Sequence, residues 1–300
     1  RSLLAAAVLG AYTQGFAADD AVENAELETV NVVGSINKLQ AVPFLQAKSA
    51  VSISAATLSE EGVEKMDEIG RYQSGFTNQP FGSDTNTNWF RIRGTEASQS
   101  VDGSPAISYG FFTPHAEVYG IEAVEVTKGA DSMTFGAANA GGLINYISKR
   151  PHKNQVGHGD ITAHVGTDNQ RGLAADYTGS LNADQSLRYR LVGSYRKADG
   201  EWNGTGVETY YIAPSLAWDI SDRTHFTLLA SYQKDVGTPS SNFLPQDGSL
   251  FDTVYGKIDP NTNLGAPDTD YEKNIQKSIG YEFSHDFGNG LTFSQNYRYS

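Results

Sequence analysis

The chain has 300 residues, a net charge of −13 and no cysteine. The length allows about two domains. The acidic balance excludes a basic nucleic-acid-binding face. The lack of cysteine excludes disulfides, cysteine-bound zinc, cysteine-ligated iron–sulfur clusters and thiol catalysis. Sixteen Tyr, fourteen Phe and 31 Gly against two Met favour β-structure with many turns. No run reaches the roughly 18 apolar residues of a transmembrane helix. Barrel strands, which alternate apolar and polar positions, need no such run.

In chain order, residues 3–9 form a short apolar core, and Gly15-Phe16-Ala17 places small residues for cleavage after Ala17. Residues 1–17 are therefore expected to be a partial signal peptide. Residues 18–47 are acidic and then polar, without a helical apolar stripe, and are expected to be flexible. Within them, Glu28, Thr29, Val30, Asn31, Val32 and Val33 make a short β-prone run. Such a run can join a partner's sheet edge by strand addition, or serve as an ordinary edge strand of the domain that follows.

Residues 48–151 read as a small α+β domain. A strand is expected over 49–53. Thr57-Leu58-Ser59-Glu60 opens a helical stretch, with Val63, Met66 and Ile69 at helical spacing. Residues 89–94 alternate apolar and Arg positions as a strand, and Val101-Asp102-Gly103 signals a turn. Residues 121–151 combine a strand-like run, a Gly-rich turn, the Gly141-Gly142 pair, a second apolar run and a basic stop, Lys149-Arg150-Pro151.

From Gly157 onward the period is two. Leu187, Tyr189, Leu191 and Tyr195 share one face, opposite Arg188 and Arg190. Tyr210, Ile212, Pro214, Leu216 and Trp218 line up next, and similar runs recur to Tyr299. About seven such strands are expected over 157–300, several of the length a tilted membrane strand needs. Tight turns at 182–185, 221–223 and 288–290 alternate with longer loops at 197–207 and 235–274, as in outer-membrane barrels. Tyr210, Tyr211, Trp218 and Tyr232 suit an aromatic girdle. If the apolar face meets lipid, Arg188 and Arg190 face the lumen and can pair with acids of the preceding domain. An open sheet leaves edges unpaired in lipid, and Ser300 falls inside a strand pattern, so the chain is expected to be an N-terminal part of the barrel protein.

Several motifs resemble those of the TonB-dependent outer-membrane receptors, more narrowly their ferric-siderophore branch with its hydroxamate and ferrichrome receptors. Thr29-Val30-Asn31-Val32-Val33 is similar to a TonB box, Phe90-Arg91-Ile92-Arg93-Gly94 to a plug strand ending in Ile-Arg-Gly, and residues 121–151 to the long plug signature ending in Lys-Arg-Pro. Further on, Arg188-Tyr189-Arg190-Leu191, Leu244-Pro245-Gln246-Asp247-Gly248 and Gln295-Asn296-Tyr297-Arg298-Tyr299 resemble barrel segments of hydroxamate receptors. Ala123, Lys128, Ala130 and Asn139-Ala140 depart from the family pattern.

The resemblance implies an α+β plug domain inside a transmembrane antiparallel β-barrel of about 22 strands, of which this chain holds about the first seven. It implies active import of a ferric siderophore, of hydroxamate type, across the outer membrane of a Gram-negative bacterium. The implied partners are TonB with its inner-membrane energising complex, the ferric siderophore as cargo and outer-membrane lipid. The protein is expected to be a monomer, with no cofactor, no resident metal and no nucleic acid. Residues 28–33 would engage TonB. Phe81, Gln99 and Phe111 fall at plug-apex positions facing the siderophore, with the neighbouring Tyr109 as a source of a hydroxyl there, and Phe243 falls on the barrel wall. A receptor for haem, cobalamin or another nutrient is the nearest alternative, and a passive porin the alternative of another class. No nucleophile triad, Walker loop or dinucleotide fingerprint supports an enzyme.

Overall fold

The computed structural model describes residues 49–80, 82–83, 87–106, 116–129, 139–239 and 243–300. The expected signal peptide, the acidic segment and the candidate TonB box lie outside these residues.

The first sheet grows from short, apolar-rich runs. It contains β1 (Ser49–Ser54), β4 (Ser98–Val101), β5 (Ser104–Pro105), β6 (Ile121–Lys128) and β7 (Gly142–Ser148), in the order β1-β6-β7-β4-β5. All pairings are antiparallel except β4 with β7. A separate hairpin pairs β2 (Phe76–Asn78) with β3 (Phe90–Ile92). Ile53, Ile92, Val124, Val126, Ile144 and Tyr146 form one closed apolar cluster with Leu58, Met66 and Ile69.

The helix α1 (Ala55–Glu60) is shorter than the sequence suggests. Ser54 caps it, its hydroxyl accepting from the Thr57 amide at 3.1 Å. Gly62 follows at φ +64 and ends the helical path. A 3₁₀ turn at Met66–Glu68 then carries Met66 and Ile69 into the core by a different route.

The Gly141-Gly142 pair has a steric cause. A Cβ on Gly142, which sits at φ +122, would lie 1.9 Å from the Thr127 carbonyl oxygen. One on Gly141 would lie 2.5 Å from the Glu96 carbonyl oxygen. Only glycine lets β7 enter the sheet this close to β6. The Asp102-Gly103 turn between β4 and β5 has positive φ at both central residues, as a type I′ hairpin requires.

The second sheet is an antiparallel meander of seven strands: β8 (Gly159–Val165), β9 (Arg171–Ser180), β10 (Leu187–Asp199), β11 (Gly206–Ser221), β12 (Thr224–Thr238), β13 (Glu272–Asp286) and β14 (Thr292–Tyr299). One end carries the short links at 181–186, 222–223 and 287–291. The other carries 200–205 and the long connection between β12 and β13, but also a short link at 166–170, so the alternation is not strict.

Its two faces are reversed relative to a water-soluble sheet. Leu173, Tyr177, Leu191, Tyr210, Ile212, Trp218 and Ile279 are exposed on one face. Asp176, Thr178, Arg188, Arg190, Thr209, Ser215 and Gln233 are buried on the other, against the first domain. Ring pairs across neighbouring strands, such as Tyr195 with Tyr210 at 5.1 Å, run along the apolar face. Tyr211 does not join that face. Strand alternation turns it inward, against Gly120, where an added Cβ would lie 2.3 Å from its hydroxyl.

Candidate functional site

The functional geometry of the described residues lies where the small domain meets the polar face of the meander. Four charges alternate there. Asp102, on its tight turn, accepts from Arg150 Nη2 at 2.9 Å and from Arg298 Nη1 on β14 at 2.6 Å. Arg150 reaches Glu282 on β13 at 3.1 Å. Asn296, also on β14, donates to the Asp102 carbonyl oxygen. Asp102 is held inside its own domain by the Ser148 amide at 2.8 Å and the Ser148 hydroxyl at 2.7 Å. The carboxylate is thereby satisfied on all sides. Burial alone would loosen the Arg150 proton, but the charges of Glu282, Asp102, Glu122 and Glu125 outweigh it and raise the pKa above the ordinary value.

The basic stop after β7 continues this join. Lys149 pairs with Asp176 on β9 at 2.9 Å and lies 4.0 Å over the Tyr119 ring. Tyr119 in turn bonds Asp160 on β8. Lys153 pairs with Asp219 on β11 at 3.0 Å. His152 bonds Glu122 at 2.7 Å within the small domain. Burial pushes the Glu122 carboxyl up. The His152 hydrogen bond and the charges of His152, Arg150 and Arg190 outweigh that and hold it below its ordinary value.

Arg188 and Arg190 face this seam, as the alternation predicts, but their acids are not on the plug-like domain. Arg190 forks onto Asp176 of the neighbouring strand at 2.8 and 2.6 Å. Arg188 meets Asp219 of the other neighbour at 2.7 Å. Both then donate to junction carbonyls, Arg190 to Arg150 at 3.0 Å and Arg188 to Pro151 at 3.4 Å. The cross-strand acids arrive because β9 and β11 flank β10 in register.

A polar cavity of about 190 Å³ opens along the same seam. Lys65, Glu68, Gln79, Asn88 and Glu117 line it from one side, and Arg196, Gln233 and Asp235 from the other. Burial pushes the Glu117 carboxyl up despite the nearby Arg196.

Of the expected siderophore contacts, Phe81, Tyr109 and Phe111 lie outside the described residues. Gln99 sits on β4 with its side-chain oxygen accepting from the Tyr146 hydroxyl at 2.9 Å. Phe243 is 73% exposed at the start of the long connection. Neither lines the seam cavity. Sequence reasoning missed Asp102, Arg150, Glu282 and Arg298 as a set. The alternation of Asn296 and Arg298 on one face of β14 was the available signal for two partners of the Asp102 turn.

A small core-packed domain seated on the polar face of an inverted meander defines the plugged outer-membrane barrel class. Residues 45–143 match the model described as TonB-dependent Receptor Plug Domain, so the chain carries the plug domain of the TonB-dependent receptors. It is 33% identical over 183 residues to the ferrichrome outer membrane transporter/phage receptor of Escherichia coli K12, covering 61% of this chain and 24% of that protein. It is 28% identical to the ferrioxamine B receptor of Salmonella typhimurium SL1344, covering 99% of this chain and 43% of that one. The chain therefore spans under half the length of these curated relatives. The outer-membrane ferripyoverdine receptor of Pseudomonas aeruginosa superposes with a TM-score of 0.75 at 22% identity, covering 85% of this chain and 34% of that one, a likeness of fold. The names of these relatives are those of transporters and receptors.

Proposed function

We propose that the protein carrying this chain is a Gram-negative outer-membrane receptor that imports a ferric siderophore, of hydroxamate type, with energy delivered through TonB. The observation that supports this best is the plug docked on the polar face of the inverted sheet. A barrel wall with lipid on one face and a plug on the other needs this partition. The hydroxamate class is supported by the ferrichrome and ferrioxamine B relatives. A neutral hydroxamate chelate suits a pocket built of Phe81, Gln99, Tyr109, Phe111 and Phe243.

In this reading TonB takes residues 28–33 by strand addition and pulls on β1, the first strand of the plug sheet. The plug–wall seam is bonded by ion pairs and hydrogen bonds. Water can replace these bonds as the plug rearranges, without exposure of its apolar core. The receptor works as a monomer surrounded by lipid.

The test is iron uptake in a strain whose only hydroxamate receptor is the full-length protein. Uptake of iron-loaded ferrichrome or ferrioxamine B is expected, and its loss on deletion of residues 28–33. Unchanged uptake after that deletion removes the TonB step. Failure with every hydroxamate, alongside uptake of haem or cobalamin, moves the protein to the alternative nutrient class.

A further inference from the structure

Asp67 is fully buried, between the core residues Met66 and Ile69. It does not act as an exposed charge on a 3₁₀ turn. Gln79 Nε2 donates to its Oδ1 at 3.1 Å. The Trp89 amide donates to Oδ2 at 3.3 Å, and Lys65 Nζ does so at 3.1 Å. Lys65 Nζ also donates to the Thr87 carbonyl oxygen at 3.2 Å. Gln79, Thr87 and Trp89 belong to the link between β2 and β3. One carboxylate and its lysine thus hold that link near both ends, 12 and 22 residues along the chain.

This arrangement works against stability. Burial pushes the Asp67 carboxyl up, and Lys65 with the bonds from Gln79, Lys65 and Trp89 lowers it only in part. A buried ion pair is weak evidence for stability, because desolvation offsets the attraction. Perturbed buried acids collect at functional sites for the same reason. The chain leads from Asp67 back through Lys65 and α1 to β1, the strand that follows the candidate TonB segment.

We propose that Asp67 and Lys65 are positioning residues for ligand recognition: they fix Gln79 at one end of the β2–β3 link, and Thr87 and Trp89 at the other, to the plug core. The inference rests on the siderophore-receptor reading and deepens it by naming residues that touch no ligand.

The test uses the full-length protein and Asp67→Asn. The substitution keeps shape but replaces one acceptor oxygen with a donor, which then faces donors. In the ligand-free protein, amide exchange at Gln79 and Trp89 is expected to quicken by about tenfold, a shift of one decade in the opening equilibrium, while β6 and β7 stay protected. Binding of ferrichrome or ferrioxamine B, whichever the wild type takes, is expected to weaken by about tenfold. Lys65→Met should reproduce both effects in lesser degree. Unchanged exchange at Gln79 and Trp89 overturns the proposal. So does quickened exchange with unaltered affinity, and so does equal loss of protection in β6 and β7, which marks a merely structural role. A wild type that binds neither chelate overturns the hydroxamate reading instead, and the ligand-free exchange still decides the positioning claim.

Discussion

The plug and the wall bury opposite chemistry. In the plug sheet, Val124, Val126, Ile144 and Ile147 are buried, and apolar packing holds the strands. In the meander, Asp176, Arg188, Arg190 and Gln233 are buried while Ile212, Trp218 and Ile279 are exposed. The meander strands alternate with period two, whereas β7 is buried along nearly its whole length, and alternation alone does not say which face is inside. What decides is the neighbour each face meets. The plug closes on its own apolar core, whereas the wall packs its polar side on the plug and leaves its apolar side exposed.

The largest effect on this comparison is expected at the seam. Arg150→Ala leaves Asp102 and Glu282 without their shared cation, and breaking such a buried pair costs about 3–5 kcal/mol. Thermal unfolding of the full-length protein in detergent should show the plug released before the wall. A single unshifted transition would mean that the four-charge cluster does not hold the two together.

Next comes Ile212→Lys, on the exposed face of β11. If that face meets lipid near mid-depth, the change costs about 2–4 kcal/mol in a bilayer. If it meets water, the cost stays within about 0.5 kcal/mol. Folding titrations in lipid vesicles separate the two, and the smaller figure breaks the contrast between plug and wall.

The smallest effect concerns pH. Glu122 has a folded-state pKa below its ordinary value, so its stabilisation is present at neutral pH and is lost as pH falls through the folded pKa. Glu122→Gln should therefore lower the melting temperature of the plug at pH 7, with the gap closing under acid conditions. A gap that persists unchanged below the folded pKa would assign the loss to shape and not to charge. Asp67 has the opposite sign, since burial raises its pKa, and acid should ease its cost.

Much of this was legible in the sequence. The wall strands follow from alternation, because a strand with two unlike surroundings must alternate. The glycine pair at 141–142 marks a close approach that the Thr127 carbonyl explains. The sequence suggests too long a helix because Val63, Met66 and Ile69 fit a helical stripe, while Gly62 breaks the path and a 3₁₀ turn brings Met66 and Ile69 into the core instead. The seam partners were not legible for a different reason. Arg298 and Asp102 lie 196 residues apart, and only the stacking of plug on wall brings them together. The arginines on β10 showed their direction but not their acids, because the neighbouring strands set the register. Asp67 was hidden because nothing in Met66-Asp67-Glu68 says which carboxylate turns inward.

The junction carbonyls have a consequence for how such a protein is made. Hairpins of the meander can zip together from contacts close in sequence. Yet Arg190 and Arg188 add to their cross-strand acids the oxygens of Arg150 and Pro151. Wall assembly is therefore finished by a stretch synthesised before it. Assembly without that earlier stretch would leave both guanidinium groups on their strand acids but without the two oxygens that fasten wall to plug.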